Sequence, residues 1–200
     1  MRRTLRPARA PLLSSQGQAP PPGRARAGRA AKRAIDVGGA LLGLLAFAPI
    51  LLVIALAIRL DARGPVLFSQ RRIGRGGAHF VLRKFRTMVV DAEQMTAAML
   101  AHSRDPNWLD LEHDPRVTRV GWFLRKTSLD ELPQLWNVLR GEMSLVGPRP
   151  LISAEYERVP AWARSRVEVT PGITGLWQVD GRTLNSFHEM LELDHQYVRT

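Results

Sequence analysis

The sequence predicts an α/β protein that is mainly helical, carries a short β-hairpin and attaches to a membrane through one apolar helix. Three observations predict this class. A segment of 22 uncharged residues runs from Val37 to Ile58, which is long enough for a membrane helix. Two apolar stretches then flank a glycine-rich turn near residue 75, as in a hairpin. Most of the chain after residue 88 carries helix start and stop signals.

Length and composition exclude several classes of protein. With 200 residues, the chain has room for about one domain. It contains no cysteine, so disulfides and thiolate metal sites are excluded. Its five histidines form no H-E-x-x-H pair, and a histidine zinc site is therefore not expected.

The positive charge is concentrated at the N-terminus. Residues 1–33 hold nine Lys or Arg and no acid, whereas the net charge of the whole chain is +11. A nucleic-acid-binding domain would spread this charge over its surface, but a basic cluster beside an apolar segment is typical of contacts to anionic lipid. Residues 1–30, rich in Arg, Ala, Pro and Gly, are predicted to be a disordered basic tail.

The apolar segment, at residues 31–60, has two features that a simple span lacks. Pro49 lies near its middle, where it removes a backbone hydrogen bond and bends a helix. Both flanks are basic, since eight Lys or Arg and a single acid follow between Arg59 and Arg86. The positive-inside rule places both ends in the cytoplasm. A re-entrant helix broken at Pro49 is favoured, and a straight span is the alternative.

Alternation predicts the hairpin that follows. Val66 to Ser69 and Phe80 to Arg86 are the strands, and the glycines at 74, 76 and 77 form the turn. Phe80, Leu82 and Lys84 fall on one face of the second strand. Helices are predicted at about 89–104, 129–139, 153–162 and 185–198, with a tight loop at 171–175.

Asp130 and Glu131 are adjacent carboxylates with two alternative interpretations. Ser128 and Glu131 have the spacing of a capping box, which is a purely structural role. Cations near them in the sequence suggest instead a site for a phosphate ester and a divalent cation, because arginine binds phosphate and Mg²⁺ accepts carboxylates. These cations are Lys84, Arg86, Arg125, Lys126 and Arg149.

Six motifs occur in order along the chain, behind Lys32, Arg33 and Asp36 at the start of the apolar helix. They are Lys84–Met88, Ser128–Leu135, Asn137–Ser144, Val146–Pro150, Pro171–Gly175 and Gln178–Arg182. Together they resemble the bacterial sugar transferase family, the monotopic phosphoglycosyl transferases, from about Ala31 to Thr200. The chain departs from the usual family pattern at Glu142, where many members have Asp.

The resemblance implies transfer of a sugar 1-phosphate from a UDP-sugar to polyprenyl (undecaprenyl) phosphate, as the first membrane step of exopolysaccharide or glycan biosynthesis. Asp130 would be the nucleophile of a covalent phosphosugar–aspartyl intermediate, and UMP would be released. Asp130 and Glu131 would hold Mg²⁺. The remaining site residues would be Lys84, Arg125 and Arg149 for the phosphates and Arg182 for the nucleotide.

The resemblance also implies a location and partners. Residues 61–200 would form a small cytoplasmic catalytic domain lying on the bacterial inner (cytoplasmic) membrane, in contact with anionic lipid. Because the family usually continues with further amphipathic helices, we expect this domain to be truncated at its C-terminal end. The sugar and a homo-oligomeric state are left open.

Two other classes of protein are weighed against this one. A non-catalytic, membrane-anchored adaptor would not require the two carboxylates and the arginines together. A nucleic-acid-binding protein could stack bases on tryptophans, but it would have no use for the apolar helix. No nucleic-acid partner is therefore expected.

Overall fold

The computed structural model describes residues 22–96, 114–179 and 186–199, together with positions 99, 103 and 111, and describes side chains from Gly28 onward. The α-helices are α1 Pro22–Asp61, α2 Arg119–Thr127, α3 Gln134–Arg140, α4 Ser153–Glu157, α5 Leu176–Val179 and α6 Phe187–Arg199. The strands are β1 Leu67–Ile73, β2 His79–Phe85, β3 Ser144–Val146 and β4 Gly172–Thr174. Three 3-10 segments lie at Arg75–Gly77, Leu129–Glu131 and Ala161–Glu168. This confirms a mainly helical protein with a small antiparallel sheet.

Helix α1 is a single helix of 40 residues. Pro49 lies inside it without ending it, so the predicted break does not interrupt the helix. The helix also includes residues 22–30, which the sequence assigned to the tail; Pro22 suits a first helical position and the alanines that follow favour helix. Residues 28–61 are long and apolar enough to cross a membrane, and they are the one such segment in the described part of the chain.

A buried carboxylate attaches the first half of α1 to the rest of the protein. Asp36 is 5% exposed and accepts hydrogen bonds of 3.0 Å from the Ser144 hydroxyl and the Leu145 N–H. The Lys32 ammonium lies 3.5 Å from the same carboxylate. Because an unpaired buried charge is costly, these bonds fix α1 to strand β3.

Arg33 attaches α1 to the end of α3. Its guanidinium donates to the carbonyls of Val138, at 2.6 Å, and Leu139, at 2.9 Å. The last carbonyls of a helix lack intrahelical partners and attract cations. Gly141, in the left-handed conformation with φ 79°, ends α3 at the predicted position.

The second half of α1 contacts the same body. Ile54 and Ile58 pack with Phe85 and Leu124 in one buried cluster, and the Asp61 carboxylate accepts a 3.2 Å hydrogen bond from the Val120 N–H. Residues 45–50, between the two contact regions, are all exposed. Helix α1 is therefore anchored near both ends and presents its apolar middle outward.

The predicted hairpin is present. Strands β1 and β2 pair antiparallel from Leu67 opposite Phe85 to Ile73 opposite His79. Gly76 and Gly77 have φ of 67° and 78° in the turn, values that favour glycine.

Asn137 of α3 holds the outer edge of β2. Its Nδ2 donates to the Val81 carbonyl at 2.7 Å, and its Oδ1 accepts from the Arg83 N–H at 3.2 Å. The same amide nitrogen donates to the Glu142 carboxylate at 2.6 Å. Glu142 therefore has a structural role that its sequence position did not indicate.

Strands β3 and β4 form a parallel pair that the sequence did not predict; a tight loop was expected at 171–175. Ser144 lies opposite Gly172 and Val146 opposite Thr174. Three glycines let the two segments approach: a Cβ on Gly147 would lie 2.5 Å from the Thr170 oxygen, and one on Gly175 would lie 2.5 Å from the Gly147 oxygen. The two segments lie some 25 residues apart in the chain. No local sequence pattern predicts a backbone contact between segments so far apart.

The remaining helix predictions are partly confirmed. Helix α6 matches the predicted 185–198 closely. The helix predicted at 153–162 ends at Glu157, because Pro160 separates it from a 3-10 segment. Of the helix predicted at 89–104, residues 90–95 form turns, and most of the rest lies outside the described residues.

We predict that Gly147→Ala lowers the free energy of unfolding by about 1–3 kcal/mol, because its Cβ meets backbone atoms that cannot move away. The thermal midpoint in detergent, followed by near-ultraviolet circular dichroism, measures this. Gly38→Ala is the matched control, since no atom lies within 4 Å of its Cβ and alanine favours a helix. Equal midpoints for the two variants would contradict the packing described here.

Candidate active site

The segment that carries the two predicted carboxylates is a 3-10 turn between two helices. Ser128 ends α2 in the left-handed conformation, with φ 60°, and its side chain makes no capping bond. The predicted capping box is therefore wrong, and α3 starts at Gln134, later than the predicted 129, with Pro133 at its N-cap. Among the described residues, Ser128 is the one non-glycine residue with positive φ. Such strain often marks functional positions.

Asp130 lies inside this turn and is 6% exposed. It is close enough to Lys84 and Arg125 for its charge to favour their protonated forms. Asp130 is therefore a buried carboxylate with two cations close to it.

Lys84 is held in a strongly cationic environment. Burial, and after it the charge of Arg125, lower the pKa of Lys84 to about 8, while Asp130 opposes this effect. Burial also lowers the pKa of Arg125, whose Nε donates a 2.9 Å hydrogen bond to the Thr87 hydroxyl. Asp130 therefore offsets only part of the positive charge of these two cations.

Arg72 and Arg149 add two further cations. Burial and the neighbouring Arg149 lower the pKa of Arg72 to about 10, and Arg72 donates to the Pro150 carbonyl at 3.1 Å. The Arg149 guanidinium lies 5.4 Å from the ring centroid of Trp177. The backbone carbonyl of Arg149 accepts a 2.6 Å hydrogen bond from the Arg166 guanidinium. This bond fixes the Pro-Arg-Pro segment.

These side chains meet at an open cleft of about 430 Å³, which we call the cationic cleft. Its polar wall consists of Arg72, Lys84, Glu131, Gln134, Arg149 and Gln178. Its apolar wall includes Leu82, Ile173 and Trp177. Among the described residues of its wall are three cations and one acid, and this excess of positive charge suits an anion carrying several charges, such as a diphosphate.

The structure brings together most of the predicted site residues. Lys84, Glu131 and Arg149 line the cationic cleft, and Asp130 and Arg125 adjoin Lys84. Arg86 points elsewhere, donating to the carbonyls of Arg63 at 2.6 Å and Ala62 at 2.7 Å. Arg182 lies outside the described residues.

Sequence reasoning missed Arg72, Gln134, Trp177 and Gln178. The register of the hairpin would have indicated Arg72. Arg72 pairs with Phe80 and therefore lies on the face of the sheet that carries Lys84. Both glutamines lie inside motifs that carry the family resemblance, Ser128–Leu135 and Gln178–Arg182, but nothing in those motifs assigned them a binding role.

The donor set fits a magnesium ion that is shared with a substrate. Asp130 and Glu131 offer adjacent oxygen ligands, and Mg²⁺ is commonly bound by one or two carboxylates plus phosphate oxygens. Within the described ranges, no group of three or more His, Cys, Asp or Glu side chains could enclose a metal. The protein could therefore supply only part of the ion's ligands.

Comparison with known proteins gives a consistent result. The family model for bacterial sugar transferases matches residues 27–200. The galactosyl transferase CpsE of Streptococcus agalactiae is 48% identical over 170 residues, which are 84% of this chain and 38% of that protein. The undecaprenyl-phosphate galactose phosphotransferase of Salmonella typhimurium is 40% identical over 181 residues, 87% of this chain and 37% of that protein.

A third relative is shorter. The UDP-glucose:undecaprenyl-phosphate glucose-1-phosphate transferase of Caulobacter vibrioides is 44% identical over 178 residues, which are 84% of this chain and 62% of that protein. The chain thus spans 38% and 37% of the length of the first two relatives and 62% of the length of the Caulobacter protein. All three names describe transferases of sugars.

We predict that the affinity for inorganic pyrophosphate falls as the pH rises through about 8, because Lys84, whose pKa is lowered to about 8, then loses its charge. The bound anion raises the pKa of Lys84. The affinity therefore begins to fall near the pKa of Lys84 in the free protein and levels off above the pKa of Lys84 in the complex. Calorimetric titration from pH 7 to 10 measures it. Lys84→Arg should lack the fall in affinity near pH 8, because its guanidinium stays charged there, and the same fall in that variant would contradict the assignment.

Proposed function

This chain belongs to the bacterial sugar transferase family, and we propose that it transfers a sugar 1-phosphate from a UDP-sugar to polyprenyl (undecaprenyl) phosphate. The observation that carries the proposal is the buried Asp130 carboxylate beside a cleft with excess positive charge. The names of two relatives, which specify undecaprenyl phosphate, support the acceptor. An exopolysaccharide or related glycan would be the eventual product.

In the first step, a carboxylate oxygen of Asp130 bonds to the β-phosphorus of the UDP-sugar. The bond from that phosphorus to the bridging oxygen breaks, and UMP leaves with the electron pair. The sugar phosphate stays on Asp130 as an acyl phosphate. Covalent catalysis of this kind divides one difficult displacement into two.

In the second step, a phosphate oxygen of polyprenyl phosphate bonds to the same phosphorus. The bond to Asp130 breaks, which restores the carboxylate and leaves a polyprenyl diphosphate sugar. Neither step needs a general base, because both attacking oxygens are already anionic. This is consistent with a site rich in cations and, among its described residues, without a histidine.

The cations act on the charge of the transferred phosphoryl group. Lys84 and Arg125 adjoin Asp130, and Arg72 and Arg149 line the same cleft close to Lys84. Fixed, partly desolvated cations stabilise developing negative charge more strongly than water does. Arg182 is proposed to contact the nucleotide end of the donor.

We also propose that Glu131 and Asp130 hold Mg²⁺ together with the diphosphate oxygens. When bound, the ion would supply additional charge neutralisation. The protein's own contribution is the orientation of the two carboxylates by the 3-10 turn.

The catalytic domain is proposed to lie on the cytoplasmic face of the inner membrane, with α1 entering and leaving through one leaflet. Both halves of α1 contact the same body while its middle is exposed, which supports entry and exit on one side. On α2, Trp122 and Phe123 are 60% and 54% exposed, and Lys126 lies 5.0 Å from the Trp122 ring centroid. Aromatic and basic side chains of this kind suit the lipid headgroup region.

We predict that Asp130→Asn abolishes UMP release, because the amide cannot form the acyl phosphate. Detergent-solubilised protein, Mg²⁺, undecaprenyl phosphate and a panel of UDP-sugars are incubated, and UMP is quantified. Asp91→Asn, the same change at an exposed position, should retain wild-type activity. Absence of release with every sugar by the folded wild-type protein would favour a membrane adaptor instead.

We predict that both ends of α1 face the cytoplasm. The chain lacks cysteine, so Ala31→Cys and Arg63→Cys each introduce a unique label site. Both should react with a membrane-impermeant maleimide in inverted vesicles but not in intact spheroplasts, as should the control Ala161→Cys in the catalytic domain. Reaction of one α1 site in spheroplasts would establish a straight span.

A further inference from the structure

Two uncharged amides face the cationic cleft, and the proposed mechanism does not use them. Gln134 is 5% exposed and Gln178 lines the same cleft. The buried Gln178 Oε1 has no hydrogen-bond partner in the described part of the chain. The side chain of Gln134 lies at the wall of the same open space.

Leaving the Gln178 oxygen unpaired has a cost. A buried amide without a partner destabilises a fold by about 1–3 kcal/mol, so native proteins satisfy most of them or reserve them for a ligand. Each glutamine offers both a donor and an acceptor. Hydroxyl groups are the matching ligand chemistry, since a hydroxyl also donates and accepts.

The charged groups of the cleft suit a different part of the donor. Arg72, Lys84 and Arg149 only donate hydrogen bonds and carry positive charge, which suits phosphate oxygens. The two amides carry no charge, so each binds a phosphate oxygen more weakly than these cations do. The cleft therefore combines a site for charge with a site for neutral polar groups.

Position relative to the nucleophile distinguishes the sugar from the nucleoside. Gln134 follows Asp130 by four residues and begins the helix after the catalytic turn. The sugar is attached directly to the phosphate that Asp130 would attack, whereas the nucleoside lies beyond a second phosphate. We propose that Gln134 and Gln178 bind the hydroxyl groups of the transferred sugar; this rests on the proposed function.

The test is a cycle that combines protein variants with modified donors. Gln134→Met and Gln178→Met keep the side-chain length and remove the amide. Gln94→Met, at an exposed turn outside the cleft, is the matched control. For each protein, kcat/KM for UMP release is measured with the UDP-sugar that the wild type uses and with analogues lacking one ring hydroxyl at a time.

For the hydroxyl that an amide contacts, the wild type should lose about tenfold in kcat/KM when it is removed, the effect of one buried hydrogen bond. With the complete donor, kcat/KM of the corresponding Met variant should be about tenfold below that of the wild type. With that analogue, kcat/KM of the variant should fall no further. Such non-additivity identifies a direct interaction. The control should behave as the wild type does.

Additive losses at every ring position would overturn the inference. So would an equal weakening of UMP as a competitive inhibitor, because the amides would then contact the nucleoside. If a Met variant does not fold, Gln134→Leu or Gln178→Leu, which removes the amide without adding a charge, takes its place in the cycle. Failure of the wild type to release UMP from any donor would instead contradict the proposed function.

Discussion

The burial of several neighbouring cations is the constraint on which the rest of the site depends. Lys84, Arg125 and Arg72 all have a lowered pKa, and burial is the largest cause in each. Like charges at close range repel, and the energy of placing them together must come from the fold. Asp130 offsets part of that repulsion. An anion with several charges would relieve the remainder, which makes the cationic cleft a preorganised site for a diphosphate.

Polar contacts to the backbone hold this arrangement and connect it to the apolar helix. Arg33 of α1 binds the carbonyls at the end of α3, and the start of α3 adjoins the turn that carries Asp130. A helix of seven residues spans about 10 Å, so one short element links the anchor to the nucleophile. Asn137 of the same helix fixes β2, the strand that carries Lys84. In the proposed arrangement, rigid elements therefore set the distance between the lipid surface and the Asp130 carboxylate.

The elements with a local pattern could be predicted from sequence, and those that depend on distant contacts could not. The alternation of side chains along the strands and the glycines of the turn identified the hairpin, and Gly141 identified the end of α3. The start of α3 was wrong because Pro133 and the left-handed Ser128 override a plausible capping box. Strands β3 and β4 meet through glycine backbones far apart in the chain. The resemblance to a family supplied the proposed roles of Asp130 and Lys84, whereas Arg72 and the two glutamines required the fold.

The central claim is that Asp130 carries the sugar phosphate between two separate transfers. Exchange of radiolabelled UMP into unlabelled UDP-sugar, without polyprenyl phosphate, tests it most directly, because reversal of the first step needs a sugar phosphate stored on the protein. The account predicts label in the UDP-sugar with the wild type and none with Asp130→Asn. Complete turnover in the presence of polyprenyl phosphate, but no exchange in its absence, would contradict the account and indicate direct transfer between the two substrates.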